Sequence, residues 1–172
     1  MKNESLLLKK TYIETPLGQM IAIADEKALF VLDFVDRRKL ENKIKQLQTH
    51  LITPGETAIT MHIAKELNDY FSGTLTEFKT PVYFLGSQFQ QKVWQKLQTI
   101  PYGKTYSYAH LANTIEKPSA FRAVAQANGA NFLAIIIPCH RVINTNGKLG
   151  GYGGGITRKE FLLNHEKNNY EY

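Results

Sequence analysis

The chain is poor in cysteine, in long apolar runs and, over its second half, in acid. One cysteine, Cys139, stands among 172 residues. No internal disulfide can form around it, and no thiolate cluster exists to hold a structural zinc. The five histidines, at 50, 62, 110, 140 and 165, show no HExxH spacing, so neither a metal nor any other cofactor is expected. No apolar run approaches the roughly 18 residues that a membrane span needs. Leu6-Leu7-Leu8 is too short for the core of a secretion signal, so the expectation is a cytoplasmic protein, or a nuclear one in a eukaryote. Phosphate-cradling loops are missing too. Residues 150–155 are glycine-rich but place Tyr152 or Ile156 where GxGxxG needs glycine, and no GxxxxGK followed by Ser or Thr occurs. There are no repeats and no low-complexity tracts.

Acid is scarce only in part of the chain. Residues 1–85 carry 11 Lys or Arg against 11 Asp or Glu, whereas residues 86–172 carry 10 against 4. The whole excess of +6 therefore lies in the second half. A basic half beside a neutral one suits a polyanion-facing surface, although a solvated face that aids solubility would look the same.

Residues 11–35 alternate short apolar runs with turns: Tyr12-Ile13, Pro16-Leu17-Gly18, Met20 to Ile23, Asp25-Glu26-Lys27, and Leu29 to Leu32. That punctuation predicts antiparallel strands. Leu40, Ile44, Leu47 and Leu51 recur at helical spacing and predict a helix. A second helix, from about Thr57 to Phe71, turns Ile59, Ile63, Leu67 and Tyr70 inward and stops at Gly73. The Pro81-containing stretch 73–86 marks a boundary. It separates a small N-terminal α/β domain, 1–85, from a mostly helical C-terminal domain, 86–172.

In the second half, Ser87-Gln-Phe-Gln90 matches a capping box. Ser107 caps a short helix containing Leu111 and Ile115. After a Lys117-Pro118 turn, Ser119 caps another that ends at Asn128-Gly129. Helix, turn, helix is the outline of a helix-turn-helix, here winged-helix-like. Phe132 to Ile137 reads as a buried apolar strand running into Pro138-Cys139-His140-Arg141-Val142. Thr157-Arg-Lys-Glu160 matches a second capping box, opening a helix that ends near His165-Glu166. The expected fold class is α/β (α+β).

A lone cysteine is commonly a small buried hydrophobe. Cys139, however, sits where the apolar segment gives out, in the basic half, and catalytic groups favour such junctions. A thiol is nucleophilic only as thiolate and needs a base. His140 is the nearest, but in a regular strand it would point away from Cys139. The pairing requires the backbone to turn at 138–140, or a bridging water. Glu166 could orient the imidazole; a plain surface glutamate is the alternative. Arg122, three residues after Ser119, opposes the helix dipole, which contact with DNA or simple exposure would excuse. Ala120, Ala123, Ala125 and Ala127 could form a smooth DNA-facing surface or pack against a neighbouring helix. The glycine loop could let a flat ligand approach the backbone near Tyr152.

With Ile-Ile-Ile-Pro-Cys-His-Arg-Val at 135–142, the chain resembles the O6-alkylguanine-DNA alkyltransferases, or methylated-DNA–protein-cysteine methyltransferases. Tyr-Ser-Tyr-Ala-His-Leu-Ala at 106–112, Arg-Ala-Val at 122–124, Asn131, Gly-Tyr-Gly-Gly-Gly at 151–155 and Leu-Leu-Asn-His-Glu at 162–166 extend the likeness across 87–166. Residues 1–85 resemble the family in layout only.

The resemblance implies a single-turnover repair protein that moves an alkyl group from O6-alkylguanine in DNA to its own cysteine, with O4-alkylthymine a second candidate substrate. The acceptor falls on Cys139, the general base acting through water on His140, and its carboxylate partner on Glu166. Asn131 braces the active-site turn, and Tyr108 aids departure of the guanine and contacts the phosphate backbone. Arg122 fills the base stack, with Ser119, Ala120 and Ala123 about it at the DNA. Val142, Tyr152, Gly153 and Ala134 line the base pocket. The implied partner is double-stranded DNA, bound in the minor groove without sequence preference by a monomer, with no membrane partner. Gly153 and Ala134 stand where some relatives carry serine and proline, which implies a roomier pocket. Single turnover follows from the chemistry, since no residue here cleaves the thioether product. Two rival readings are a helix-turn-helix DNA binder with Cys139 as packing, and a Cys-His-Glu hydrolase.

Overall fold

Short apolar runs between tight turns do build a sheet. In the computed structural model, which describes residues 5–170, strands β1 (Leu7–Thr15), β2 (Gly18–Ala24) and β3 (Leu29–Phe34) pair antiparallel in sequence order. The Asp25 carboxylate closes the β2–β3 turn by accepting from the Lys27 and Ala28 amides, as Asx turns do. The helix expected around Leu40–Leu51 is cut short. Helix α1 covers Leu40–Ile44, a 3₁₀ turn follows at Lys45–Leu47, and Leu51–Pro54 is strand β4. Only Leu40 and Leu47 of the spaced apolar set are buried, and Leu51 is 60% exposed. Strand β4 pairs parallel with β1, giving the order β3-β2-β1-β4. The sheet is therefore mixed rather than purely antiparallel. Backbone pairing with β1 outweighed a helical spacing that had only two apolar residues to bury.

Helix α2 (Ala58–Phe71) is capped reciprocally by Thr57 and Thr60 and buries Ile59, Ile63, Leu67 and Tyr70. The free edge of β3 meets the segment after α2: the Leu29 amide donates to Pro81 O, and the Tyr83 amide to Leu29 O. The chain divides into two compact units, Met1–Leu85 and Gly86–Tyr172.

The second unit opens with α3 (Gln88–Leu97), whose Ser87 and Gln90 form the reciprocal capping box. Strand β5 (Tyr106–Ser107) leads into α4 (Tyr108–Thr114), capped by the Ser107 hydroxyl, which accepts from the His110 amide. Helix α5 (Phe121–Gly129) packs against α3 and α4. Its start differs from expectation. Pro118–Ala120 is a 3₁₀ turn, and α5 begins after Ala120 with no side-chain cap, so Ser119 does not cap it. Strand β6 (Val142–Ile143) pairs parallel with β5. The final helix, α6 (Ile156–Tyr170), starts one residue before Thr157 and runs past Glu166. Thr157 thus lies inside the first turn and does not serve as an N-cap.

The largest departure lies at residues 132–137, read as a strand. They are all buried but form no strand: the Ile137 amide bonds to Leu133 O, and Ile135 adopts φ +73°. That φ is a rare backbone setting for a β-branched residue. Asn131 explains the shape. Its amide nitrogen donates to Leu133 O at 3.3 Å and Ile137 O at 2.9 Å, and its oxygen accepts from the Leu133 amide at 2.9 Å. One side chain satisfies buried backbone groups that a sheet ladder would otherwise have to meet.

Candidate active site

The Asn131 amide that shapes this segment also lies 3.2 Å from Cys139 Sγ. Cys139 is 5% exposed and begins a 3₁₀ turn, Cys139–Arg141, followed by β6. Three residues per turn send successive side chains about 120° apart. Cys139 and His140 therefore diverge, which suits a relay through one water better than a direct contact.

His140 is fully buried, and its Nε2 lies 2.6 Å from Glu166 Oε1. Arg141 grips the same carboxylate at both oxygens, Nε to Oε2 at 2.8 Å and Nη2 to Oε1 at 3.0 Å, and donates Nη1 to Ile100 O at 2.7 Å. Burial pushes the Glu166 carboxyl up, but His140 and Arg141 more than reverse this and hold it well below the usual carboxylate range. Burial pulls the His140 imidazole down from its ordinary value, against the attraction of Glu166. A neutral ring facing an ionised Glu166 donates from Nε2 and carries its lone pair on Nδ1. Nδ1 has no hydrogen-bond partner among the described residues. That lone pair is the basic atom of the cluster.

Tyr108, at the start of α4, is half-buried. Burial, then the charge of Cys139, pushes its phenol up, against a hydrogen bond with Asn128. Asn128, buried on α5, also donates its side-chain amide to Cys139 O at 3.3 Å. Gly150, at φ +71°, lies against Tyr108: a Cβ there would stand 3.4 Å from its ring and 3.1 Å from Asn144 Oδ1. Of the expected pocket residues, Val142 and Ala134 are buried, Tyr152 is half-buried and Gly153 is exposed.

On the helix-turn-helix, Ser119, Arg122 and Ala123 are exposed and Ala120 is half-buried. The alanine face is only partly available, since Ala127 is 2% exposed and packs inward. Phe121, beside Arg122, is 47% exposed. Among the described residues no group of three or more His, Cys, Asp or Glu could hold a metal, and no helix is long and apolar enough to cross a membrane.

Two family descriptions match, together spanning nearly the whole chain. Residues 88–168 match the DNA-binding domain of 6-O-methylguanine DNA methyltransferase, and residues 8–84 its ribonuclease-like domain. The methylated-DNA–protein-cysteine methyltransferase of Mycobacterium tuberculosis is 46% identical over 155 residues, covering 90% of each chain. The chain belongs to this family. The methyltransferase of Mycolicibacterium paratuberculosis is 53% identical over 155 residues, again covering 90% of each. Among solved structures, Mycobacterium tuberculosis OGT in complex with DNA superposes with a TM-score of 0.81 at 40% identity, covering 95% of this chain and 94% of that one. The fold is thus that of the methyltransferases, an N-terminal sheet unit and a helical C-terminal unit.

Three buried residues of this methyltransferase site escaped the sequence reading as functional groups. Arg141 stood inside the signature without a role. Asn128 carried no signal beyond its place at the end of α5. Lys159 did leave a trace: Lys159, Leu162 and Glu166 fall at i, i+3 and i+7, the spacing of a buried helical stripe, and all three are buried.

Proposed function

We propose that this chain repairs DNA by taking the alkyl group of O6-alkylguanine, with O4-alkylthymine as a second substrate, onto Cys139 in one irreversible turnover. The observation that carries this reading is the arrangement about the thiol. Asn131 stands 3.2 Å from Cys139 Sγ, and the adjacent His140 is fixed 2.6 Å from Glu166, leaving its Nδ1 as acceptor. His140, through a bridging water, takes the thiol proton. The sulfur lone pair forms a bond to the alkyl carbon, the carbon–O6 bond breaks, and its electrons leave on the base. Tyr108, whose raised pKa keeps it protonated at neutral pH, supplies a proton to the departing guanine. The product is a thioether, which nothing in the site reopens.

The target carbon lies inside the duplex, so the nucleotide must be extruded at a cost of a few kcal/mol. Exposed Arg122 enters the stack in its place, with Ser119, Ala120 and Ala123 against the minor groove. The basic surface binds phosphates without regard to sequence, and the protein acts as a monomer. Val142, Ala134, Tyr152 and Gly153 form the base pocket, whose small residues at 134 and 153 admit bulky alkyl groups.

Incubation with duplex DNA carrying O6-methylguanine is expected to raise the intact mass by one methylene, on the Cys139 peptide. Folded protein whose mass stays unchanged would overturn the reading. Repeated turnover through an acyl intermediate would point to a hydrolase instead.

A further inference from the structure

The helix-turn-helix turns its apolar bulk inward almost throughout. Leu111, Ile115 and Val124 are buried. Ser119, Ala123 and Gln126 are exposed, and all three are small or polar. Phe121, the first residue of α5, breaks the pattern. It is 47% exposed, and among the described residues it is the only exposed large hydrophobic between 86 and 155.

A lone exposed ring is ordinary in itself; the company Phe121 keeps is not. The guanidinium carbon of Arg122 stands 5.8 Å from the Phe121 ring centroid, within cation–π range. None of the ion pairs among the described residues involves Arg122. Just before α5, the Lys117 ammonium lies 6.0 Å from the Phe89 ring centroid. Glu116 is the only acid between residues 108 and 129. The cations of this stretch therefore rest on aromatic faces instead of being neutralised by carboxylates. Cations interleaved with rings suit a nucleic acid, since charges meet phosphates and every base offers a face to stack on. A protein partner would call for a wider apolar patch, and the residues around Phe121 are small or polar.

We infer that Phe121 is a second wedge beside Arg122, an aromatic that enters the minor groove and stacks on the base next to the extruded nucleotide. The inference rests on Arg122 meeting the duplex and on extrusion of the alkylated base. Minor-groove proteins often press apolar side chains between base steps and unstack them. Two tasks thus fall to two neighbours. Arg122 takes the place vacated in the stack, and Phe121 covers the face of the adjoining base, which extrusion would otherwise leave to water. Ser119 and Ala123, being small, let the backbone at the start of α5 come close enough for the ring to reach.

The test compares the full chain with Phe121→Ala and Phe121→Trp. Phe121→Ala should slow repair of duplex O6-methylguanine about tenfold, the size of one lost base–aromatic stack, and leave reaction with free O6-benzylguanine unchanged. Phe121→Trp should repair at the wild-type rate, and binding of the lesion duplex should quench its added indole emission. The wild-type protein, whose one tryptophan is buried Trp94, supplies the background. Equal losses on both substrates, or an indole unquenched on bound duplex, overturn the inference. Emission that changes with protein concentration in the absence of DNA would assign the ring to a second copy and overturn it too. Arg122→Ala, run alongside, separates this inference from the reading beneath it. Slowed duplex repair in Arg122→Ala with full repair in Phe121→Ala sinks the inference alone; full repair in both sinks the base-stack role of α5 as well. Wild-type protein that gains no mass from either substrate would instead sink the acceptor reading itself.

Discussion

Each unit of this protein buries a cluster of charge, and the two clusters differ in what they leave over. In the first, Asp33 is fully buried, accepts from the Phe34 amide, and meets Arg37 at 2.7 Å and Lys43 at 3.4 Å. Asp33, Arg37 and Lys43 are paired with one another. In the second, Glu166 is gripped by His140 and Arg141 just as tightly. Yet among the described residues that cluster keeps a basic nitrogen with no hydrogen-bond partner, the Lys159 ammonium hydrogen-bonded only to carbonyls, and a thiol. Burial of charge is common to both. The unspent capacity marks the site where chemistry is possible.

Removing the carboxylate from each cluster breaks that comparison most forcefully. Glu166→Ala strands Arg141 beside His140, and loss of one partner of a buried pair costs about 3–5 kcal/mol. Asp33→Ala strands two cations with side chains 7% and 12% exposed, so its cost should fall at or below the low end of that range. The variants should part in activity. Alkyl transfer per folded molecule is expected to drop by roughly 10²-fold in Glu166→Ala, the loss typical of a disabled general base, and to be unchanged in Asp33→Ala. Urea unfolding with single-turnover kinetics on O6-benzylguanine reads both. Equal activity losses would show that the first cluster is not merely structural.

Acid separates the clusters next. Glu166 is held below its usual 4.5, so the unfolded chain binds more protons near and below that pH. Its stabilisation is complete above about 4.5 and is lost as pH falls through that range. His140, pulled below 6.5, adds a loss that begins as pH drops past 6.5. Asp33 has the opposite sign: burial raises it above 3.8, against the pull of Arg37 and Lys43, so the folded chain holds the extra proton and stability declines as pH rises just above 3.8. Against the wild-type slope of stability with pH between 3 and 5, Glu166→Gln should give a shallower dependence and Asp33→Asn a steeper one. Changes of the same sign would contradict the assignment.

The same contrast governs what was legible in the sequence. Where one local signal acted alone it held: Ser87 and Ser107 at their caps, Ile59, Ile63, Leu67 and Tyr70 at helical spacing, and tight turns between β1, β2 and β3. Where a distant partner decided, it failed. Leu51 continued a helical spacing, but a place beside β1 drew it into a strand. Residues 132–137 had a strand's composition, and Asn131 took their backbone bonds instead. The signature picked out Cys139 and His140 as neighbours in sequence, but not the 3₁₀ turn that points them apart. Lys159 was hidden because a charged residue on a helix is ordinarily a solvated one.

A contrast between surface and pocket gives a smaller effect. Arg122 is exposed on α5, whereas Cys139, His140 and Glu166 are buried. Arg122→Ala should slow repair of base-paired DNA about tenfold, the order of a few kcal/mol of extrusion only partly recovered. Reaction with free O6-benzylguanine, which needs no extrusion, should be unaffected. Equal losses on the two substrates would place Arg122 in the pocket's support and not in the base stack.

The smallest effect compares two serines that look alike in sequence. Each precedes a helix of the second unit, but only Ser87 accepts from the amide three residues on, at 3.2 Å, while Gln90 returns the bond. Ser119 lies inside the Pro118–Ala120 3₁₀ turn, and α5 starts without a side-chain cap. Cap removal costs about 1 kcal/mol, whereas an exposed serine without such a bond falls within about 0.5 kcal/mol of neutral. Ser87→Ala should therefore lower the urea midpoint measurably and Ser119→Ala should not. Should Ser119→Ala prove as costly as Ser87→Ala, the hydroxyl must be holding the start of α5 after all, and the exposed approach to Arg122 would have to be redrawn around it.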